Sequence, residues 1–160
     1  KKTNKLAIML DVDETALSNF TAIKTLYAAI GNVGDTLTAK QIQVMTDPFH
    51  DPAIAPTLNL YRYAIKHQVA VFFVTGRTSN DLKGTIANLH RVGYKQWQAL
   101  ILRQPAEYGL KADIYKRNKA KTIRQQGYDL VLAVGDQYSD LPRRYADVVF
   151  KLPNPFYFIP

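Results

Sequence analysis

The 160-residue sequence contains no cysteine, which excludes disulfide bonds and metal sites built from thiolates. It also lacks any apolar run near the ~20 residues that a membrane-spanning helix needs. The longest run, Val69–Val74, has the length of a buried strand, so no transmembrane segment is predicted. The first residue is Lys1 instead of Met, and we therefore expect a processed or truncated chain that could have lost a signal peptide.

Acidic residues are in the minority, with 13 Asp and Glu against 21 Lys and Arg, for a net charge of +8. A basic balance favours anionic partners such as phosphate esters, nucleic acids or anionic lipids. The positive residues are spread along the chain, and the densest stretch, Lys111–Arg124, is typical of a helix instead of a disordered arm. No nucleic-acid-binding module is recognisable, so we predict no specific nucleic-acid binding.

Short apolar runs that end in polar residues or glycine indicate a parallel sheet. Without alternation of apolar and polar positions, such runs are typical of strands buried on both faces. Helical stretches at Ser79–Val92 and Tyr115–Gln126 separate them, with Gly93 and Gly127 as predicted C-caps. The pattern predicts one α/β domain over residues 1–160, with a doubly wound parallel sheet. Its predicted strands are Leu6–Leu10, Val69–Val74, Ala99–Leu102, Leu130–Val134 and Val148–Leu152.

The connection between the first two strands is unusually long. From Thr15 to Lys66 about fifty residues lie between them, where a simple crossover needs far fewer. Ala16–Ile30, Ala39–Met45 and Pro56–His67 have helical patterns, so we predict a small helical cap inserted over residues 16–67. The last ten residues contain three prolines, which exclude a helix, and we expect an extended tail against the body.

Polar residues follow the predicted strands at the edge where a doubly wound sheet binds its ligands. Carboxylates, a hydroxyl and an ammonium from distant parts of the sequence meet there. They are Asp11 and Asp13 after the first strand, Thr75 and Gly76 after the second, Asp136 and Asp140 after the fourth, and Lys116 at the opening of the preceding helix.

These residue types suit phosphate chemistry. Mg²⁺ prefers oxygen ligands, which Asp11 and Asp136 could supply with Asp140 close by. Lys116 would neutralise phosphate charge, while Thr75 and nearby backbone N–H groups would bind the remaining oxygens. One aspartate can attack phosphorus and form an aspartyl-phosphate, and a second carboxylate two residues later can act as general acid and base.

Each element of this pattern is weak alone. Most Asp-x-Asp pairs are solvated turns, and an isolated lysine such as Lys116 is more often on the surface. A calcium loop starting at Asp11 is excluded, because its sixth and twelfth positions are Ala16 and Ala22 instead of Gly and Glu. The joint occurrence at successive strand ends favours the functional interpretation.

The sequence resembles the haloacid dehalogenase-like (HAD) superfamily. More narrowly, it resembles the class B-type acid phosphatase family, subfamily IIIB, with its plant vegetative-storage-like and bacterial lipoprotein-type members. The matching segments are residues 11–19, 72–77, 85–89, 93–94, 100–103, 115–116, 135–141 and 152–157. They cover nearly the whole chain except the predicted cap.

The resemblance implies a HAD-like Rossmannoid fold with the fourth strand beside the first. It implies that Asp11 is the nucleophile and a metal ligand, and that Asp13 is the general acid and base and offers its carbonyl to Mg²⁺. By the same resemblance, Thr75, Gly76 and Lys116 bind phosphate, Asp136 ligates the metal and Asp140 supports it. The family often has arginine four residues after the lysine, where this chain has Ala120 between Lys119 and Lys121, so Lys119 is kept as an alternative phosphate lysine.

The function predicted from these residues and the resemblance is a magnesium-dependent acid phosphatase acting on small phosphate monoesters, with nucleotides among the candidates. The alternative is a storage or phosphate-binding protein with weak catalysis, because some plant relatives lack the nucleophilic aspartate. The intact Asp11 and Asp13 argue against it. The resemblance also suggests a periplasmic or secreted location.

Overall fold

A computed structural model describes residues 5–30 and 50–159 of the chain. Its sheet has five parallel strands in the order β3-β2-β1-β4-β5, which confirms the predicted α/β architecture. The inner strands have continuous apolar runs because both of their faces are covered. The strands are β1 (Lys5–Leu10), β2 (Ala70–Thr78), β3 (Ala99–Arg103), β4 (Tyr128–Gly135) and β5 (Val148–Lys151).

The strand order reverses beside β1. The chain adds β2 and β3 on one side of β1 and then crosses to place β4 on the other side. Leu10 pairs with Val134, and the Asp11 N–H donates to the Val134 carbonyl at 3.0 Å. The carboxyl ends of β1 and β4 therefore lie side by side at the position where such sheets bind ligands.

The helices cover both faces of the sheet. Leu58 and Tyr61 of α2 pack with Leu89 of α3 against Ile8 and Leu10 of β1 on one face. A second apolar cluster on the other face joins α4 to β1 and β4. The helices are α1 (Phe20–Ile30), α2 (Ala55–Lys66), α3 (Leu82–Val92) and α4 (Ala112–Gln125).

The helix boundaries differ locally from the sequence prediction. α4 begins at Ala112 instead of Tyr115, which places Lys116 in its second turn. Residues Ser79–Asp81 form a separate 3₁₀ turn, because the Asp81 side chain accepts hydrogen bonds from the Thr78 N–H and hydroxyl. Gly93, with a φ of 113°, ends α3 in the left-handed conformation that glycine adopts without strain.

Only part of the predicted cap lies within the described residues. α1 begins at Phe20 instead of Ala16, and α2 lies on the sheet face with α3. The predicted helix Ala39–Met45 falls outside the described residues, so the cap over residues 16–67 stays a prediction.

The end of the chain, Pro153–Ile159, is not helical and runs past the carboxyl end of β4. The Ile159 N–H donates to Gln137 Oε1 at 3.0 Å, and Ser139 Oγ donates to the Ile159 carbonyl at 3.2 Å. Among the described helices, none combines the length and apolar character that a membrane crossing requires.

Candidate active site

The loop after β1 turns tightly, and it carries Asp11, Asp13 and Glu14. The Val12 carbonyl accepts hydrogen bonds from the N–H groups of Thr15, Ala16 and Leu17 at 3.3, 2.9 and 2.8 Å. Glu14 has a φ of 50°, in the left-handed region that non-glycine residues rarely adopt. Its carboxylate accepts the Asn19 N–H at 2.6 Å, which closes the loop.

Three buried carboxylates meet where β1 and β4 end. Oxygens of Asp11, Asp136 and Asp140 lie within 4.8 Å of one another. Lys116 Nζ lies 2.5 Å from Asp11 Oδ1 and 2.9 Å from Asp140 Oδ1. A side chain on Gly135 would overlap Asp140, so glycine at that position permits the close approach. The cluster has more negative than positive charge.

The electrostatics of the cluster reflect this crowding. Burial and then repulsion from Asp140 raise the pKa of Asp11 well above its ordinary value, and Lys116 offsets only part of the shift. The same two causes raise the pKa of Asp136 to about 6. Burial alone would lower the pKa of Lys116, but Asp11 and Asp140 raise it, so the ammonium stays charged.

This donor set fits a hard divalent cation. Mg²⁺ is bound in proteins through one or two carboxylates and retained waters, and carboxylate oxygens are its preferred ligands. Asp11, Asp136 and Asp140 supply such oxygens in a buried position, and one lysine does not balance their charge.

Asp13 lies beside this cluster and is held by Arg77. Arg77 Nη2 donates to Asp13 Oδ1 at 2.8 Å, and Nε donates to Oδ1 and Oδ2 at 3.1 and 3.2 Å. Although burial raises the pKa of Asp13, the Arg77 charge and hydrogen bonds bring it below the ordinary value. Arg77 also donates to Asp51 Oδ2 at 3.2 Å and to Thr85 Oγ1 at 3.1 Å. The Arg77 guanidinium thus donates to three side chains of the protein, and its contacts with Asp13 fix the orientation of that carboxylate.

The end of β2 supplies a hydroxyl and an open stretch of backbone. Thr75 is fully buried, accepts the Arg77 N–H at 3.0 Å and lies 3.4 Å from Asp13 Oδ2. A side chain added to Gly76 would meet no atom within 4 Å. Glycine in a strand often marks a place where a ligand approaches the backbone closely.

The structure separates the two candidate lysines. Lys116 is buried, and its Nζ donates to Asp11 Oδ1 and to the Val74 carbonyl, each at 2.5 Å. Lys119 instead pairs with Glu107 Oε1 at 2.5 Å, away from the carboxylate cluster, and lies over the Tyr115 ring. The geometry therefore places Lys116 at the site.

Several polar residues at the site had no role in the sequence prediction. Arg77 holds Asp13 and also pairs with Asp51, while Asn154 and Gln137 donate to Asp136 at 2.7 and 2.5 Å. All except Asp51 lie in segments that carry the family resemblance, and that was the available signal. They were not predicted because the prediction considered only residues that react with phosphate. Arg77, Asn154 and Gln137 instead hold the reacting side chains in place.

Replacing Arg77 with methionine is expected to destabilise the fold by about 3 kcal/mol or more, because it removes the buried guanidinium charge that pairs with both Asp13 and Asp51. Urea unfolding at neutral pH measures the change. The matched control is Arg117→Met, whose 3.8 Å pair with Asp113 is exposed and should contribute less than about 0.5 kcal/mol. Equal stabilities of the two variants would contradict an anchoring role for Arg77.

Comparisons with known proteins identify relatives of this sequence. Acid phosphatase 1 of Solanum lycopersicum is 34% identical over 154 residues, which are 94% of this chain and 58% of that protein. Vegetative storage protein 1 of Arabidopsis thaliana is 29% identical over 153 residues, which are 95% of this chain and 55% of that protein. The chain thus spans less than two thirds of the length of these relatives.

A solved structure shares the fold. The class C acid phosphatase from Bacillus anthracis with tungstate bound superposes with a TM-score of 0.74 at 23% identity, covering 97% of this chain and 69% of that one. The family model for the HAD superfamily, subfamily IIIB (acid phosphatase), matches residues 1–160. Because that match covers the whole chain, this protein belongs to subfamily IIIB of the HAD superfamily, the acid phosphatase subfamily.

Proposed function

We propose that the chain hydrolyses small phosphate monoesters as a magnesium-dependent acid phosphatase, through an aspartyl-phosphate intermediate. The observation that supports this is the convergence of Asp11, Asp13, Lys116 and Asp136 from separate chain segments onto one edge of the sheet. The structural neighbour binds tungstate, an oxyanion of tetrahedral form like phosphate, which supports phosphate as the ligand.

In the first step, an oxygen of Asp11 attacks phosphorus while the bond between phosphorus and the leaving oxygen breaks. Asp13 gives its proton to that oxygen, so the alcohol leaves neutral. Arg77 favours the ionised form of Asp13, and the protonated fraction grows at acid pH. An anionic phosphate beside Asp13 favours the protonated form as well.

In the second step, water attacks the phosphorus of the aspartyl-phosphate. Asp13, now ionised, takes the proton from that water, and the Asp11 oxygen leaves as a carboxylate. Throughout, the Lys116 ammonium balances negative charge on Asp11 and the phosphoryl oxygens, while Thr75 and the Gly76 backbone contribute hydrogen bonds.

Asp11, Asp136 and Asp140, with the Asp13 carbonyl, are the groups proposed to hold Mg²⁺. When bound, the cation neutralises phosphate charge and orients the phosphoryl group. The crowding of the three carboxylates supports this assignment, because a cation would relieve it.

The second candidate is a storage protein with weak or no catalysis. It is favoured by the likeness to a vegetative storage protein. The two candidates differ in turnover, so hydrolysis of nitrophenyl phosphate with Mg²⁺ separates them. The location in the periplasm or outside the cell, and the absence of specific nucleic-acid binding, stay predictions.

Removal of the metal provides the direct test. Excess chelator should abolish hydrolysis of nitrophenyl phosphate, and added Mg²⁺ should restore it. Asp136→Asn should weaken Mg²⁺ binding and slow turnover with the circular dichroism spectrum unchanged, because the amide keeps the shape but loses the charge. Asp129→Asn, at a half-exposed position at the opposite end of β4, is the matched control. Full activity in chelator would exclude the metal role.

A further inference from the structure

The C-terminal segment, defined as Pro153–Ile159, contacts the carboxylate cluster through Asn154. Asn154 Oδ1 accepts the N–H groups of Phe156 at 2.8 Å and Tyr157 at 3.3 Å. These two contacts fix the amide orientation, because its oxygen faces the backbone of the segment. The amide nitrogen is left to donate to Asp136 Oδ2 at 2.7 Å.

Gln137 is arranged in the same way. Its Oε1 accepts the Ile159 N–H at 3.0 Å, so the segment also fixes the orientation of this second amide. Its Nε2 donates to Asp136 Oδ2 at 2.5 Å and to the Tyr157 carbonyl at 3.3 Å. Two carboxamides, both oriented by the C-terminal segment, therefore donate to the same carboxylate oxygen.

The other oxygen of Asp136 is in a different position. Oδ1 has one long contact, from Thr15 Oγ1 at 3.4 Å, among the described residues. A carboxylate that accepts two hydrogen bonds at one oxygen has only its other oxygen left to coordinate a cation. Such a carboxylate is therefore a monodentate ligand. This geometry suits Mg²⁺, which demands a compact octahedral shell, better than Ca²⁺, which accepts bidentate carboxylates and a larger shell.

We propose that the C-terminal segment is a positioning element of the metal site. Through Asn154 and Gln137 it restricts Asp136 to coordination by one oxygen, and in this way it favours Mg²⁺ over Ca²⁺. The inference rests on the proposed function in that it takes the carboxylate cluster as the metal site. Asn154 and Gln137 are positioning residues that act through Asp136.

The segment has other anchors, so removing one amide need not detach it. Tyr157 donates its hydroxyl to Glu14 Oε2 at 2.9 Å, and the rings of Phe156 and Phe20 lie 5.5 Å apart. Ser139 Oγ also donates to the Ile159 carbonyl at 3.2 Å. An Asn154 variant can therefore lose the amide donor while these other contacts keep the segment in place.

Isothermal titration with Mg²⁺ and with Ca²⁺ tests the inference on the protein without substrate. Asn154→Ala and Gln137→Met should each weaken Mg²⁺ binding about 10- to 100-fold, the usual effect of losing an outer-sphere contact to a ligand. Ca²⁺ binding should fall less or rise, because the released oxygen permits bidentate coordination. Asn59→Ala, at an exposed position on α2, is the matched control and should leave both affinities unchanged.

The outcomes distinguish a failure of this inference from a failure of the proposed function. If the parent protein binds neither cation, the metal role in the proposed function fails and this inference fails with it. If the parent binds Mg²⁺ and the folded variants keep its Mg²⁺ to Ca²⁺ affinity ratio, the inference fails while the metal role stands. If Asn154→Ala does not fold, the Mg²⁺ to Ca²⁺ affinity ratio of Gln137→Met decides the outcome. That substitution keeps the side-chain volume.

Discussion

Asp11→Asn is expected to reduce hydrolysis of every phosphate ester on the order of 10⁴-fold or more, because the proposed phosphoryl-enzyme cannot form without the Asp11 carboxylate. The fold should keep its stability. Asp11 is one of three crowded, buried carboxylates, and Lys116 retains Asp140 as its partner at 2.9 Å. A large loss of rate with an unchanged free energy of unfolding would identify a group that acts in the reaction and not in the fold.

Asp13→Asn distinguishes the catalytic role proposed for Asp13 from the role proposed for Asp11. It removes the proposed proton donor and later base but leaves the proposed nucleophile. Nitrophenolate leaves without a proton, whereas an alkoxide does not, so this variant should lose far more of its first-step rate on alkyl phosphates than on nitrophenyl phosphate. With nitrophenyl phosphate it should show a burst, because the second step still needs Asp13 to activate water.

Rapid-quench kinetics and mass spectrometry of the quenched protein measure these outcomes. A phosphoryl group on Asp11 of the Asp13→Asn protein would support both roles. A burst from Asp11→Asn, or a phosphoryl group found on Asp13, would reverse the assignment.

Lys116→Met should lower the rate on the order of 10²-fold or more, by analogy with the loss of one preorganised electrostatic contact. Its ammonium donates to Asp11 Oδ1 and the Val74 carbonyl and pairs with Asp140, all in the interior. Removing a buried charge while its partners stay also costs about 3 to 5 kcal/mol of folding stability. Added Mg²⁺ should recover part of that stability, because the cation supplies positive charge to the same carboxylates.

Lys119→Met is the matched control on the same helix. Lys119 pairs with Glu107 at a partly buried position outside the carboxylate cluster, so its loss should cost less stability than the loss of the fully buried Lys116. We expect this variant to retain activity within a few-fold of the parent. Steady-state kinetics and urea unfolding of both variants check the pair of expectations. A crippled Lys119→Met beside an active Lys116→Met would show that the phosphate lysine lies three residues further along the chain.

The sequence by itself determined the parallel sheet and the edge where the polar residues meet. Continuous apolar runs such as Leu6–Leu10 need burial on both faces, and glycines such as Gly93 end helices because they accept a positive φ. Those are local requirements, and each can be recognised from a few neighbouring residues in the sequence. The placement of Asp11 near Asp136 followed from the strand order that the family resemblance implied.

Only the tertiary structure decided which lysine faces Asp11. Lys116 and Lys119 are one turn apart on the same side of α4, so helical periodicity cannot separate them. They differ by about 4.5 Å along the helix axis, and the packing of α4 on the sheet determines which ammonium reaches the cluster. The distant partners of Asp13 and Asp136 were likewise set by tertiary contacts. Arg77 is 64 residues from Asp13, and Asn154 is 18 residues from Asp136. No local pattern encodes such pairs, because a hydrogen bond between distant residues depends on how the whole chain packs.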